Sequence, residues 1–136
     1  MTERTHSIVK DGKRLIWLTS QLWVLSRDLP VFQYRIADFT GLDTDCWYGH
    51  VNVPTIRSVL EHMARIESAD LSCPIILSAD GTVMDGVHRI CKARLHGVHT
   101  LPAVQFMENP PPAMAEDYQA NAPPQSPGAV MLSGSR

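Results

Sequence analysis

The sequence predicts a small α/β (α+β) domain, a mixed sheet with flanking helices, and three observations carry that prediction. A chain of 136 residues and 15.1 kDa suits one domain with one core. Apolar residues make up 44% of it, enough to build that core and to exclude wholesale disorder. The apolar pattern also changes period along the chain, from two to 3.6 and back, so strands and helices interleave rather than segregate.

Taken in order, Leu15-Ile16-Trp17-Leu18 is a short apolar lead-in to a helix that Thr19 or Ser20 caps, that runs from Gln21 to Arg27 and that Pro30 ends. Trp17 and Trp23 are assigned to packing. Phe32, Tyr34 and Ile36 alternate with Gln33, Arg35 and Ala37, the period of a half-buried strand. Residues 39–52 are rich in Gly and Asp around the pair Trp47-Tyr48 and read as a loop.

Ile56, Val59, Leu60, Met63 and Ile66 recur at helical spacing, so a core-facing helix is expected there. Arg57, Glu61 and Arg65 stand ready for i,i+4 ion pairs on its other side, and Pro54 starts it. Pro74-Ile75-Ile76-Leu77 reads as a buried strand, Ala79-Asp80-Gly81 as a hairpin turn and Thr82-Val83-Met84 as the returning strand. A helix from Val87 to His96 closes on Gly97 at C′, and Leu101 to Phe106 form the last strand. Six of the ten prolines lie between Pro110 and Pro127, so residues 107–136 read as a Pro-rich flexible tail behind a single domain over 1–106.

Charge narrows the partners. Residues 1–106 balance eleven bases with eleven acids, which lacks the cationic field of nonspecific duplex binding; DNA is not expected as a partner of this chain alone. The longest apolar stretch, Leu15 to Ser26, has twelve residues against the ~20 that span a bilayer, and the N-terminal Met-Thr-Glu-Arg-Thr-His has no signal-peptide core. Cys46, Cys73 and Cys91 are odd in number and without CxxC spacing, which suits reduced thiols and a cytoplasmic location. His50, His62, His96 and His99 show no metal-ligand spacing, so no metal is expected from the protein alone.

The chemistry concentrates in Asp85-Gly86-Val87-His88-Arg89, a strand-to-helix turn. A glycine there lets the backbone approach a ligand, and the following helix start offers N–H groups to an anion. Arg89 adds a bidentate phosphate fork, His88 a donor tunable near neutral pH, and Asp85 a base or metal ligand. One acid stands against Arg89, Lys92 and Arg94 over residues 85–99, so the local charge is positive. The plainer alternative has Asp85 capping the helix while His88 and Arg89 decorate its solvated first turn.

From Phe32 to Phe106 the chain resembles the superfamily of the ParB N-terminal domain and sulfiredoxin. The likeness rests on the Pro-Ile-Ile strand, the Asp-Gly turn, Asp85-Gly86-x-His88-Arg89, a helix ending in Gly and a Pro-led strand. It implies a small nucleotide-phosphate-binding fold, similar to short ParB-like proteins of one domain. Sulfiredoxins place a reactive cysteine directly before the His-Arg pair, where this chain has Val87, so sulfinic acid repair is not expected. Partition proteins carry Gly-Glu-Arg-Arg there, so that style of CTP hydrolysis is not expected either.

The nearest enzymatic relatives by resemblance are free-serine kinases with Asp-Gly-His-His-Arg, of which Asp85, Gly86, His88 and Arg89 match four of five positions. The resemblance implies that Asp85 and His88 act at the reacting groups, while Gly86, Val87, His88 and Arg89 hold the phosphates. Those kinases also use an upstream acid, usually Glu; here no Glu lies between Glu3 and Glu61, leaving Asp38, Asp43 and Asp45 as substitutes, with Trp47 available to stack on a substrate. The implied ligand is a nucleotide tri- or diphosphate whose phosphates carry Mg²⁺. Two functions follow: phosphoryl transfer to a small hydroxyl substrate or nucleotide hydrolysis, and a non-catalytic module that binds a nucleotide, a protein partner or a second copy of the chain.

Overall fold

A computed structural model describes residues 4–45, 47–48 and 53–118. Cys46, His50 and the stretch 119–136 of the expected tail lie outside them. Helices and two sheets make up the described chain, a small α/β fold as its changing periodicity predicts. No described helix is long and apolar enough to cross a membrane. The described residues group into two compact units, one drawn from 1–25, 44–53 and 110–136, the other from 26–43 and 54–109.

The first unit is built on a hairpin. Strands β1 (Thr5–Lys10) and β2 (Lys13–Leu18) pair antiparallel through Asp11-Gly12, whose φ values of 53° and 74° are those a two-residue turn of right-handed twist requires. The apolar lead-in expected at Leu15–Leu18 is therefore a strand. Its Trp17 is buried, donates from Nε1 to the Pro110 carbonyl at 2.8 Å and packs beside His6. Helix α1 (Thr19–Ser26) follows and buries Leu22, whereas Trp23 on the same helix is half-exposed.

The third strand of this sheet, β7 (Met114–Asp117), lies in the stretch read from sequence as tail. All four of its residues are exposed, so no apolar alternation announces it. It is held by the ladder to β2 and by cross-strand charge, Lys13 to Asp117 at 2.9 Å and Arg14 to Glu116 at 3.8 Å.

The second unit is a mixed sheet in the order β3-β6-β4-β5. Strand β3 (Phe32–Arg35) runs antiparallel to β6 (Thr100–Gln105), β6 runs parallel to β4 (Ile75–Leu77), and β4 turns back into β5 (Val83–Asp85). The β4–β5 turn forms where Asp80-Gly81 predicts it: Gly81 takes φ +91°, and the Asp80 carboxylate accepts from the Thr82 amide and the Ser78 hydroxyl. Ile75, Ile90, Ala93, Leu101 and Ala103 close the core.

Two helices flank this sheet, α2 (Ile56–Ser68) and α3 (Val87–Leu95). Helix α2 starts at a reciprocal cap, Ser58 N–H donating to Thr55 Oγ1 at 3.1 Å and Thr55 N–H to Ser58 Oγ at 2.9 Å; Pro54 stands before that cap rather than inside the first turn. Most of the apolar stripe expected to face the core does not do so; of its five residues Ile66 alone is buried. Ile56, Val59, Leu60 and Met63 are 84%, 44%, 61% and 42% exposed, and beside Ile66 the helix buries His62. Nor do Arg57, Glu61 and Arg65 form the expected ion pairs among the described residues. Helix α3 ends as the Gly97 signal predicts: Gly97, at φ +70°, donates to the Arg94 carbonyl and Val98 to the Ala93 carbonyl.

Candidate functional site

Strand β5 delivers Asp85 to the sheet edge, and the chain turns into α3 at Gly86, which takes φ +118° as the residue preceding the helix. Only glycine fits. A Cβ there would sit 2.5 Å from Cγ2 and 2.8 Å from Cβ of Ile75 on β4, and 3.1 Å from Nη2 of Arg89. Close packing against the buried Ile75 thus fixes where the helix begins, and no side chain caps it.

Asp85 is not that cap. Its Oδ2 accepts from Arg89 Nη2 at 3.0 Å, one helical turn on, in an ion pair whose side chains are each 15% exposed. The pair holds the guanidinium against the turn, but among the described residues the buried Arg89 Nε has no hydrogen-bond partner. A buried donor left unmatched costs about 1–3 kcal/mol, so this guanidinium is held short of one acceptor. Val87 packs against the core, so what it can offer a ligand is its backbone.

His88 reaches the other way in sequence. Its Nε2 lies 2.9 Å from Nδ1 of His62 on α2, and the ring centres are 5.2 Å apart with an interplanar angle of 18°. That separation equals the hydrogen bond plus the radius of each ring, so both nitrogens lie on the line between the centres. The rings are nearly coplanar and meet edge to edge. Burial, with Arg65 nearby, pushes the His62 imidazole below its ordinary value, while Glu61 pulls the other way. His62 was not among the residues the sequence singled out for the site, and nothing in the 26-residue separation could have paired it with His88.

Of the cations counted locally, Lys92 keeps its charge but its amine is committed to α2, donating to the Glu67 and Ala69 carbonyls at 2.9 and 2.8 Å and closing the C-terminus of that helix. Asp38, on the 3-10 turn Ile36–Asp38, is paired with Arg35 at 3.3 Å. Asp43 is exposed in the loop that follows. Asp45 accepts from the Tyr48 amide at 2.7 Å, the turn-forming role of such a residue, and groups with Trp47 in the first unit. One turn therefore brings together Asp85, Gly86, Val87, His88 and Arg89, and α2 adds His62. Cys91 is half-buried, and burial pushes its thiol up, which leaves it little thiolate character. Among the described residues no three His, Cys, Asp or Glu side chains form a group that could hold a metal ion.

Comparison of the chain with the profiles of known protein families, with curated proteins and with solved structures finds no match.

Proposed function

We propose that the Gly86–Arg89 turn binds the phosphate groups of a nucleotide di- or triphosphate, with Mg²⁺ carried by those phosphates. The observation behind this reading is the buried Arg89 Nε without an acceptor, beside a helix start that no side chain caps. Both features favour an oxygen anion at the same end of α3. The ParB and sulfiredoxin resemblance of Asp85-Gly86-x-His88-Arg89 points the same way. In this reading Asp85 orients the Arg89 fork, Gly86 lets the backbone come close, and His88 supplies a further donor.

Phosphoryl transfer to a small hydroxyl compound is the second reading, and the His62–His88 contact favours it because a transferring site needs a proton acceptor as well as a phosphate cradle. Titration calorimetry with ATP and ADP, with and without Mg²⁺, tests the first reading. Arg89→Ala is expected to weaken binding by about 1.5–3 kcal/mol, the range for hydrogen bonds to charged groups, with the fold retained. Equal affinity in that variant removes Arg89 from the site. Release of ADP or phosphate across a panel of small alcohols separates transfer from binding alone.

A further inference from the structure

The part of the α2 stripe that the fold leaves uncovered is ordered along its length. At 3.6 residues per turn, Ile56, Leu60, Met63 and Glu67 fall within about 60° of arc, with Val59 at one margin and Arg57 at the other. All six are exposed. The arc that meets the rest of the unit is a different one, carrying His62 and Ile66, and it faces α3. The charges on the exposed arc run against the helix that bears them. Arg57 stands in the first turn, where unpaired N–H groups make the helix end positive, and Glu67 stands in the last, where free carbonyls make it negative. No acid in the first turn offsets this, and Arg65, the base of the last turn, lies on the opposite side of the helix. Neither the Arg57 nor the Glu67 side chain forms an ion pair among the described residues.

We propose that this face of α2 seats a second copy of the chain, the two α2 helices packing antiparallel across a two-fold axis. Charge selects both the occupant and its direction. Beside an antiparallel copy, Arg57 stands next to the other helix's C-terminus and its Glu67, and Glu67 stands next to the other N-terminus and its Arg57, so what is unfavourable within one helix becomes favourable across two. A parallel pair would set Arg57 against Arg57 and Glu67 against Glu67. The apolar side chains fit the same register. With the axis level with the step from Glu61 to His62, Leu60 of one copy is level with Met63 of the other, and Val59 with the small, exposed Ala64. Arg57 is then one residue's rise, about 1.5 Å, from the level of Glu67.

A lipid surface suits this face less well. Arg57 and Arg65 balance Glu61 and Glu67 along α2, so the helix lacks the basic polar face that holds an amphipathic segment on anionic lipid. The interface is small. Four apolar side chains from each copy fall well short of the ~20–30 residues a side of a standard interface, so the pairing is weak, with a Kd on the order of 100 μM. At the low micromolar concentrations of an unfolding experiment the chain is then a monomer, and the pair forms where the chain is concentrated. Because His62 and α3 lie off the exposed arc, the pairing requires nothing of the Gly86–Arg89 turn and does not depend on what that turn binds.

Sedimentation equilibrium of the full chain, from about 10 μM to about 1 mM, reads the association directly. A monomer–dimer equilibrium is expected, weakened tenfold or more by Leu60→Gln, which removes an apolar side chain at the centre of the face. Arg57→Glu alone and Glu67→Arg alone are each expected to weaken it about fivefold, the scale of two exposed ion pairs lost together. The double variant Arg57→Glu with Glu67→Arg restores the charge pattern in reverse and is expected to recover the parent value. All three positions are exposed, and circular dichroism checks that each variant keeps its helices. A parent chain that stays monomeric up to 1 mM overturns the proposal, whether the face is then bare or taken by another segment or partner. Association that Leu60→Gln leaves unchanged overturns it too, since another surface is then at work. So does the absence of a loss in the single charge variants, or of a recovery in the double one.

Discussion

Helices α2 and α3 lie in the same unit, and they differ in how sequence became structure. Helix α2 has the clearer local signals, a reciprocal Thr55–Ser58 cap and an apolar stripe at 3.6-residue spacing. Yet most of its stripe is exposed, and the face it buries, His62 with the last stripe residue Ile66, lies about a quarter turn round the helix from Ile56, Leu60 and Met63. Helix α3 has a weaker pattern and no side-chain cap, but its Ile90 and Ala93 are fully buried. Periodicity reports that a segment is helical and that one side wants cover. Which side the fold covers is decided by what stands opposite, and α3 is aimed by glycines at both of its ends while α2 is not.

The largest break in that comparison is expected from Ile90→Ala, which should cost about 2–5 kcal/mol in urea unfolding, as for a fully buried aliphatic side chain. Next comes Gly86→Ala. Left-handed backbone costs a non-glycine residue about 1–2 kcal/mol, and the clash with Ile75 adds overpacking of about 1–3 kcal/mol. The loss should appear as a lower urea midpoint together with loss of the nucleotide binding proposed for the turn.

A smaller effect is expected from pH. The folded-state value of His62 lies below its ordinary 6.5, so the fold holds the neutral ring and the unfolded chain binds the extra proton first. That contribution is fully present above about pH 6.5 and is lost as pH falls through the lower folded value. Urea midpoints measured from pH 7 down to pH 5 should fall, and fall less in the His62→Asn variant. The smallest effect belongs to Leu60→Gln on the exposed stripe, expected within about 0.5 kcal/mol of the parent on thermal unfolding. A cost above 2 kcal/mol there would mean that the stripe is covered in solution, and would erase the contrast with α3.

Much of the second unit was legible because its signals are local. The Ile75–Leu77 run, the Asp80-Gly81 turn, the Gly97 helix stop and the Asp85–Arg89 segment each act within a few residues. The first unit was less so for two different reasons. Asp11-Gly12 between the apolar runs Ile8-Val9 and Leu15-Ile16 is a usable hairpin signal, but a short one at the edge of the chain's first apolar stretch. Strand β7 has no such mark, since what qualifies Glu116 and Asp117 as strand residues is the Arg14 and Lys13 across from them. The same holds at the candidate site. Asp85 and Arg89 announce themselves at i,i+4, but the link of His88 to His62 depends on how α2 packs against α3, and the Lys92 amine is taken up by α2 for the same reason.

The strand order of the second sheet bears on self-association. Among the described residues its two borders are β3 and β5, of four and three residues. An open strand edge is a template on which another chain can grow a sheet, and the hazard rises with length and apolar flatness. Strand β5 offers three residues before Gly86 turns the backbone away into α3, and the last of them is an ion-paired aspartate. Strand β3 ends on Arg35 and passes at once into a 3-10 turn. The bend at Gly86 that shapes the candidate site thus also cuts short a border on which fibrils could be seeded.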